Sequence, residues 1–463
     1  MPNAKQHAAE IVRALRERGH QAFFAGGCVR DLLLGRDPAD YDVATDATPQ
    51  QVMQIFPQTF AVGEQFGVVL VPADPSGPTG IPARQGERSK GAVEVATFRS
   101  DVGYSDGRHP DEVRFTKDPR EDVQRRDFTI NGMLLDPLIL DSSAPDSTAN
   151  AILDFVGGRE DLKAGIVRAI GDPERRFAED KLRMLRAVRF AARFDYQIDP
   201  ATLAAIQKLA PQIRQVSCER VREELTKMLT EGQARRAFEL LDTTGLLPEV
   251  LPEIANMKGV EQPPEYHPEG DVFVHTLLLL EKLPAGVSKT LAWGALLHDV
   301  GKPPTFRIAP DRIRFDGHVD VGVKMAAEIC RRLRFSNDDT DQILALVENH
   351  MRFGQVERMN QSTLKKFLRL PAFEEHLELH RIDCLSSHGQ LDAYEYSQEQ
   401  LRSLPPEAIR PTPLITGRDL IEAGYEPGPR FKEILSAIED AQLEGRLTSR
   451  EAAMEFVRRE FPA

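Results

Sequence analysis

The sequence predicts an α+β protein, with a sheet-based head at its N-terminal end and a helical remainder. Three stretches carry that expectation. Phe23-Phe24-Ala25, then Gly26-Gly27, then the run from Val29 to Leu34 has the form of a strand, a tight turn and a helix. Residues 40–45 read as a second strand with Asp40 and Asp42 on one face, because side chains alternate along a strand. Ala92 to Phe98 reads as a later strand in which one acid, Glu94, sits between β-branched apolar residues. Further along, apolar positions recur at helical spacing instead.

A chain of 463 residues is too long for one core, and two to four domains are expected. Charged residues make up 28% and no apolar run reaches membrane-spanning length, which predicts a soluble protein. Met1 to Lys5 lacks the basic-then-apolar pattern of a signal peptide. The scattered cysteines Cys28, Cys218, Cys330 and Cys384 form no paired framework and suit a reducing cytoplasm. A net charge of −13 argues against wholesale nucleic-acid binding and leaves room for a local basic surface.

In chain order, residues 4–18 read as a helix, with Ala8, Ile11 and Leu15 at helical spacing. The glycine turn lets a phosphate approach backbone N–H groups, and the helix start that follows favours negative charge. Two carboxylates on one strand face repel unless a cation lies between them. An oxygen-rich, phosphate-facing pair describes a Mg²⁺ site. Residues 72–91, rich in Pro, Gly, Ser and charge, read as an exposed loop between strands. Asp101 to Phe115 is a polar, glycine-containing loop leading into a short strand. Arg125-Arg126-Asp127-Phe128-Thr129-Ile130-Asn131-Gly132 offers a fork-shaped cation for a triphosphate and polar groups for a ribose. Residues 138–151 form a polar linker.

A helix is expected to run from Glu179 to Phe194. Met184, Leu185, Val188, Ala191 and Ala192 fall on one arc, and Glu179, Arg183, Arg186, Arg189 and Arg193 on the other. From Arg159 to Arg236 the chain carries 17 Lys/Arg against 12 Asp/Glu, so basic character gathers next to the head. Phosphate contacts supply most sequence-independent RNA affinity, which makes this an expected RNA surface. Beyond Glu261 come His275, the adjacent pair His298-Asp299, then His318, His350 and Asp383. Near the end, Ile421, Leu435 and Ile438 suggest helices packing on the body.

Gly26–Asp31 with Gly35-Arg36-x-Pro38-x-Asp40-x-Asp42 resembles the first motif of class II tRNA nucleotidyltransferases and bacterial poly(A) polymerases. With Glu94, the acids resemble those of polymerase-β-type nucleotidyltransferases. The resemblance implies a small mixed sheet with helices, followed by all-α neck, body, HD and tail regions. It places the head in 1–140, the neck in 150–235, a body connector in 236–262, an HD domain in 263–390 and a helical tail in 391–463. Asp40 and Asp42 would hold Mg²⁺, with Glu94 deprotonating the attacking hydroxyl or supporting the metals. Gly26, Gly27, Arg30, Arg126 and Arg186 would hold the triphosphate. The stretch holding Asp127 resembles the family's second motif, which selects ribose; the family usually has Ala where Gly132 stands. Asp154–Leu162 resembles the hinge motif. Asp180 and Arg183 match the Glu-Asp-x-x-Arg motif that reads the base edges of CTP and ATP, and Asp101–Phe115 resembles the loop that helps specificity move between them. Ser217–Leu225 resembles a scaffold motif, and Thr416–Pro429 a C-terminal segment of some members.

The implied activity is template-independent addition of C, C and A to tRNA 3′ ends from CTP and ATP, with tRNA held by its 3′ end and acceptor arm. The alternatives are a poly(A) polymerase, an A-adding enzyme, or an HD-type phosphohydrolase as the main activity. The HD resemblance assigns His275, His298, Asp299 and Asp383 as ligands of a divalent metal (Ni²⁺, Mn²⁺, Co²⁺ or Mg²⁺). His318 and His350 stand where two-metal versions carry ligands.

Overall fold

A computed structural model describes residues 4–61, 67–72, 92–104, 111–139, 151–265, 268 and 270–462. The chain divides into two compact units, Met1–Met228 with Arg236–Val250, and Leu229–Arg235 with Leu251–Ala463. Residues 73–91 of the expected loop, Gly107–Pro110 and the linker residues 140–150 lie outside the described residues.

The first unit opens with α1 (Ala4–Glu17), which buries Ala8, Ile11 and Leu15 as their spacing predicts. Then come β1 (Ala22–Ala25), α2 (Gly27–Leu33), β2 (Asp42–Thr45), α3 (Pro49–Ile55), β3 (Phe60–Ala61), β4 (Val68–Pro72) and β5 (Ala92–Thr97). β6 (Arg99–Val102) and β7 (Glu112–Phe115) pair with each other, and α4 (Pro119–Gln124), β8 (Met133–Leu135) and β9 (Ile152–Asp154) follow. Among the described residues, seven strands form one sheet in the order β3-β4-β5-β2-β1-β8-β9. β2 and β5 run parallel and the other neighbours antiparallel, so the sheet is mixed as expected. Phe23, Ala25, Ala44, Phe98, Val123 and Leu134 form one of its cores.

Two local expectations are corrected. β2 starts at Asp42, not Asp40, because β1 ends at the glycine turn and Ala25–Asp42 is the last pair of their ladder. The alternation still extends back: Tyr41 is buried against Phe24, with ring centroids 5.3 Å apart, and Asp40 is exposed. The helix expected from Glu179 is broken in two, Pro173–Glu179 and Leu182–Phe194. Asp180 between them is extended, its carboxylate accepts from Leu182 N at 3.1 Å, and Arg220 holds it from outside at 2.8 Å. A carboxylate that bonds nearby backbone competes with helix continuation. Beyond the break, Met184, Leu185, Val188, Ala191 and Ala192 are buried as predicted. The neck is not purely helical, since Ile166–Val167 and Gln197–Ile198 form a short parallel pair.

Among its described residues the second unit is helical apart from a hairpin, Arg307–Ile308 with Ile313–Arg314, and an isolated bridge between Glu261 and Asp271. Helices Val272–Glu281, His318–Arg332 and Phe373–Ser386 carry His275, His318 and Asp383, while His298 and His350 cap the C-terminal ends of Lys289–Leu297 and Asn337–Asn349. The tail helices Gly417–Glu422, Pro429–Leu443 and Arg450–Glu460 bury a core of their own, with Ile415, Leu420, Ile434, Ile438 and Val457. Ile438 faces inward as expected, whereas Ile421 is 52% exposed and Leu420 takes the core position. No helix among the described residues is long and apolar enough to cross a membrane.

Candidate active sites

In the first unit the sheet register builds the acidic site. Ala25 pairs with Asp42 across β1 and β2, and Asp42 pairs with Glu94 across β2 and β5. Laterally paired residues share a face, so Glu94 stands beside Asp42; Asp40 lies two positions before Asp42, ahead of the strand. Gly26, at φ +73°, turns the chain from β1 into α2. A Cβ there would lie 3.2 Å from Arg126 Nη1 and 3.9 Å from Asp42 Oδ2, so the turn, the cation and the acid converge.

Arg126 is aimed by Asp122, a residue the sequence reading did not single out. The buried Asp122 carboxylate accepts from Arg126 Nη2 at 2.9 Å on one oxygen and from Arg125 Nη2 at 2.6 Å on the other. Burial works against the charge on Arg126, but Asp122 and then Asp42 raise its pKa. Arg30 is buried. It donates to Asn131 Oδ1 at 2.6 Å and to Asp31 Oδ1, and lies 4.5 Å over the Phe194 ring. One guanidinium nitrogen still reaches to 3.5 Å from where a Cβ on Gly27 would stand.

Asp127 links this motif to the following helix. It accepts from Asn131 Nδ2 at 3.2 Å and from Arg186 at 2.5 and 2.9 Å. Burial alone would raise its pKa, yet Arg186 holds it at about 2. Arg183 donates to Glu179 at 2.9 Å and to the carbonyl of Arg125 at 3.1 Å, while Asp180 pairs with Arg220. The structure thus places Asp180, Arg183 and Arg186 along one helix entrance, each held by a neighbour.

The charged arc of that helix is not simply solvated. Arg189 is buried and donates to Glu224 at 2.6 Å. Other arginines here are paired at or near the surface, Arg168 with Asp161 and Asp199, and Arg236 with Asp195. The local basic excess therefore overstates the basic surface open to a polyanion. The hinge stretch is fastened too: Asp154 accepts from the backbone of Val156, Gly158 and Arg159, and Asp161 from Thr129 Oγ1 at 2.7 Å.

In the second unit the histidine series converges around Asp299. His275, His298 and Asp299 form one group, and Asp299, His318 and His350 another, with the ligand atoms of each group within 4.8 Å of one another. Asp383 Oδ1 lies 3.1 Å from His275 Nε2. Three rings are fixed in the same way. The Nδ1 atoms of His298, His318 and His350 bond the carbonyls of Ala295, Phe315 and Val347 at 2.9, 2.9 and 2.7 Å. A carbonyl only accepts, so each Nδ1 carries the proton and each Nε2 presents its lone pair. Those Nε2 atoms are buried and make no hydrogen bond among the described residues. Burial holds the His350 pKa down at about 4. Burial also opposes the charge on Asp299 and Asp383, but the groups beside them prevail. The Lys302 ammonium holds Asp299 well below the usual carboxylate range, and a bond from His275 does the same for Asp383.

Gly301 allows this convergence. A Cβ there would stand 2.0 Å from the carbonyl of His318, so only glycine lets the helix of His318 close on the His298-Asp299 corner. Lys302 and Gln262 also belong to the site and were missed. Lys302 Nζ lies 2.7 Å from Asp299 Oδ2 and 2.6 Å from Gln262 Oε1. For Lys302 a signal existed, its position four residues after His298; for Gln262 there was none.

Residues 22–168 match the poly A polymerase head domain, residues 195–258 the probable RNA and SrmB-binding site of polymerase A, and residues 272–387 the HD domain. The CCA-adding enzyme of Enterococcus faecalis is 31% identical over 468 residues, 98% of this chain and 95% of that one. That of Geobacillus stearothermophilus is 41% identical over 241 residues, about half of each chain (52% and 53%). Among solved structures, the Bacillus stearothermophilus CCA-adding enzyme in complex with CTP matches with a TM-score of 0.71 at 28% identity, covering 99% of both chains.

Proposed function

This chain belongs to the CCA-adding enzyme family, and we propose that it completes tRNA 3′ ends by adding C, C and A from CTP and ATP without a nucleic-acid template. It is a nucleotidyltransferase. The observation that carries the reading is the lateral register of Asp42 with Glu94 beside the Gly26 turn, where Arg126 also arrives. Asp40 and Asp42 would hold divalent cations, for which Mg²⁺ suits an all-oxygen donor set. Cations bound there supply activation of the 3′-hydroxyl and charge neutralisation on the departing pyrophosphate. Glu94 supports those acids or takes the hydroxyl proton. Gly26, Gly27, Arg126, Arg30 and Arg186 surround the triphosphate, Asp127 faces the ribose, and Asp180 with Arg183 reads the base edge. The proposed setting is the cytoplasm. The test uses purified protein, tRNAs ending before C, CC or A, and each labelled NTP in turn. CTP should enter the first two substrates and ATP the third; ATP entry alone, or long A tracts, would replace this reading with an A-adding enzyme or a poly(A) polymerase.

A second activity is favoured by the three buried Nε2 lone pairs around Asp299. His275, His298, Asp299 and Asp383 would hold one divalent cation and Asp299, His318 and His350 a second; the nitrogen-rich set suits Ni²⁺, Mn²⁺ or Co²⁺, with Mg²⁺ the harder alternative. Such a centre supplies Lewis acidity and a nucleophile at neutral pH. The proposed substrate is a phosphoester at an RNA end, a 2′,3′-cyclic phosphate, whose removal frees the hydroxyl that the head extends. Hydrolysis of cyclic nucleotides and phosphomonoesters with each metal should be lost in His298→Ala/Asp299→Ala. A parent that binds no metal and hydrolyses nothing would reduce the domain to scaffold.

A further inference from the structure

The surroundings of Asp299 contain hydrogen-bond donors that the histidine series does not use. Residues 259–262 are strapped to the start of helix Val272–Glu281, which carries His275. Gly259 N donates to Asp271 Oδ2 at 2.8 Å, Val272 N to Val260 O at 3.0 Å, and Glu261 bridges Asp271. Asp271 in turn caps that helix, accepting from Val274 N at 2.7 Å. The strap delivers Gln262, 3% exposed, to the buried Lys302. An ammonium only donates, so the Gln262 amide must present its oxygen to Lys302 and turn its nitrogen away. That Nε2 is buried and has no hydrogen-bond partner among the described residues. Lys302 has three N–H donors, directed so far at Asp299 Oδ2 and Gln262 Oε1, with the Phe315 ring 5.4 Å from Nζ.

A buried amide nitrogen without an acceptor is costly unless a ligand completes it. Beside a cationic lysine, the missing group is an acceptor-only oxyanion, and a phosphate has oxygens for both donors. We propose that Gln262 Nε2 and Lys302 Nζ form an oxyanion-binding pair that grips a phosphate oxygen of the ester handled at the Asp299 site. The inference rests on the phosphohydrolase reading of that site. It adds two residues that touch substrate, where the metal ligands touch the cations.

The experiment uses the full chain loaded with Mn²⁺ and inorganic phosphate as the probe, with affinity measured by calorimetry and metal content by atomic absorption. Gln262→Met keeps the length of the side chain without its donors, and Gln262→Glu makes it acceptor-only. The parent should bind phosphate, Gln262→Met about ten-fold more weakly, and Gln262→Glu and Lys302→Met more weakly still, all with the parent's metal content. Equal phosphate affinity in Gln262→Met and parent overturns the proposal. So does a metal-loaded parent that binds no phosphate, or a Gln262→Met protein that loses its metal, which would make the residue a support for the ligands. A parent that takes up no metal overturns the phosphohydrolase reading itself, and that outcome is read from the parent alone.

Discussion

Replacing Asp127 with asparagine removes one charge and almost no volume from the link between the second motif and the Leu182–Phe194 helix. Asp127 is 9% exposed and is held by Arg186 through bonds of 2.5 and 2.9 Å. Burial by itself would raise its pKa; with Arg186 it sits at about 2 against a usual 3.8. That difference is worth about 2 kcal/mol of stability at neutral pH. Because the folded carboxyl ionises more readily than the unfolded one, the stabilisation is complete above about pH 4 and is lost as pH falls to about 2. Arg186, with a third of its side chain exposed, keeps some hydration after the change, so no fully buried cation is orphaned. The single tryptophan, Trp293, lies in the second unit, so its fluorescence does not report on this helix. Native-state hydrogen exchange of peptides from Leu182–Phe194 does, and urea titrations followed by circular dichroism supply the pH dependence. Asp127→Asn should lower protection by about 2 kcal/mol at neutral pH, with the deficit closing toward about pH 2. Unchanged protection at neutral pH, or a deficit undiminished in acid, would refute the reasoning.

Other expectations follow from the same geometry. Asp42→Ala should abolish nucleotide addition while leaving tRNA affinity within a few-fold; near-normal incorporation by the folded variant would remove the acid face from the reaction. Asp180→Ala with Arg183→Ala should raise UTP and GTP misincorporation relative to CTP and ATP, since a site built to bond a base edge rejects bases that leave it unpaired. Labelled-nucleotide competition reads this, and unchanged selectivity would leave both residues as helix scaffolding. Gly132→Ala would place a Cβ 2.8 Å from Val156 Cγ2 and 2.9 Å from Ile170 Cδ1, so a loss of about 1–3 kcal/mol is expected from overpacking. Thermal unfolding checks it; an unshifted midpoint would mean the two side chains step aside without cost. Affinity for tRNA should fall steeply with added salt in filter-binding assays, and a flat response would mean phosphates are not the main contact.

What could be read from the sequence was local, and what escaped it was tertiary. The strands that carry Asp42 and Glu94 were legible because alternation and β-branched flanks need only neighbouring residues, while their lateral pairing came from the sheet and Asp40 fell outside its expected strand. The His298-Asp299 adjacency was equally direct. The break at Asp180 was hidden because residues on either side of it keep helical spacing. The carboxylate is held out by Leu182 N together with Arg220, forty positions away, and that second partner is not visible locally. Arg189 looked like one more surface charge because its partner Glu224 belongs to another helix. The excess of positive charge from Arg159 to Arg236 was countable, but not the share already paired with acids of the fold. In the tail, a shift of one residue separated the expected Ile421 from the actual core residue Leu420, within the tolerance of any periodicity argument.

The ladder between β4 and β5 has a bearing on how this chain can be altered, by evolution or by hand. Leu70 pairs with Glu94, Val71 with Val93 and Pro72 with Ala92, while on the other side Glu94 is held by Asp42. The position of the acid is therefore determined by two partner strands and not by the length of chain that joins Pro72 to Ala92. The ends of that joining segment are already neighbours, and closure entropy grows only with the logarithm of length, about 0.6 kcal/mol per doubling. The length of the chain between Pro72 and Ala92 is accordingly expected to be free to change. Shortening residues 73–91, or exchanging them for a tag or a small folded domain, should leave the pairing of Glu94 with Asp42 unchanged.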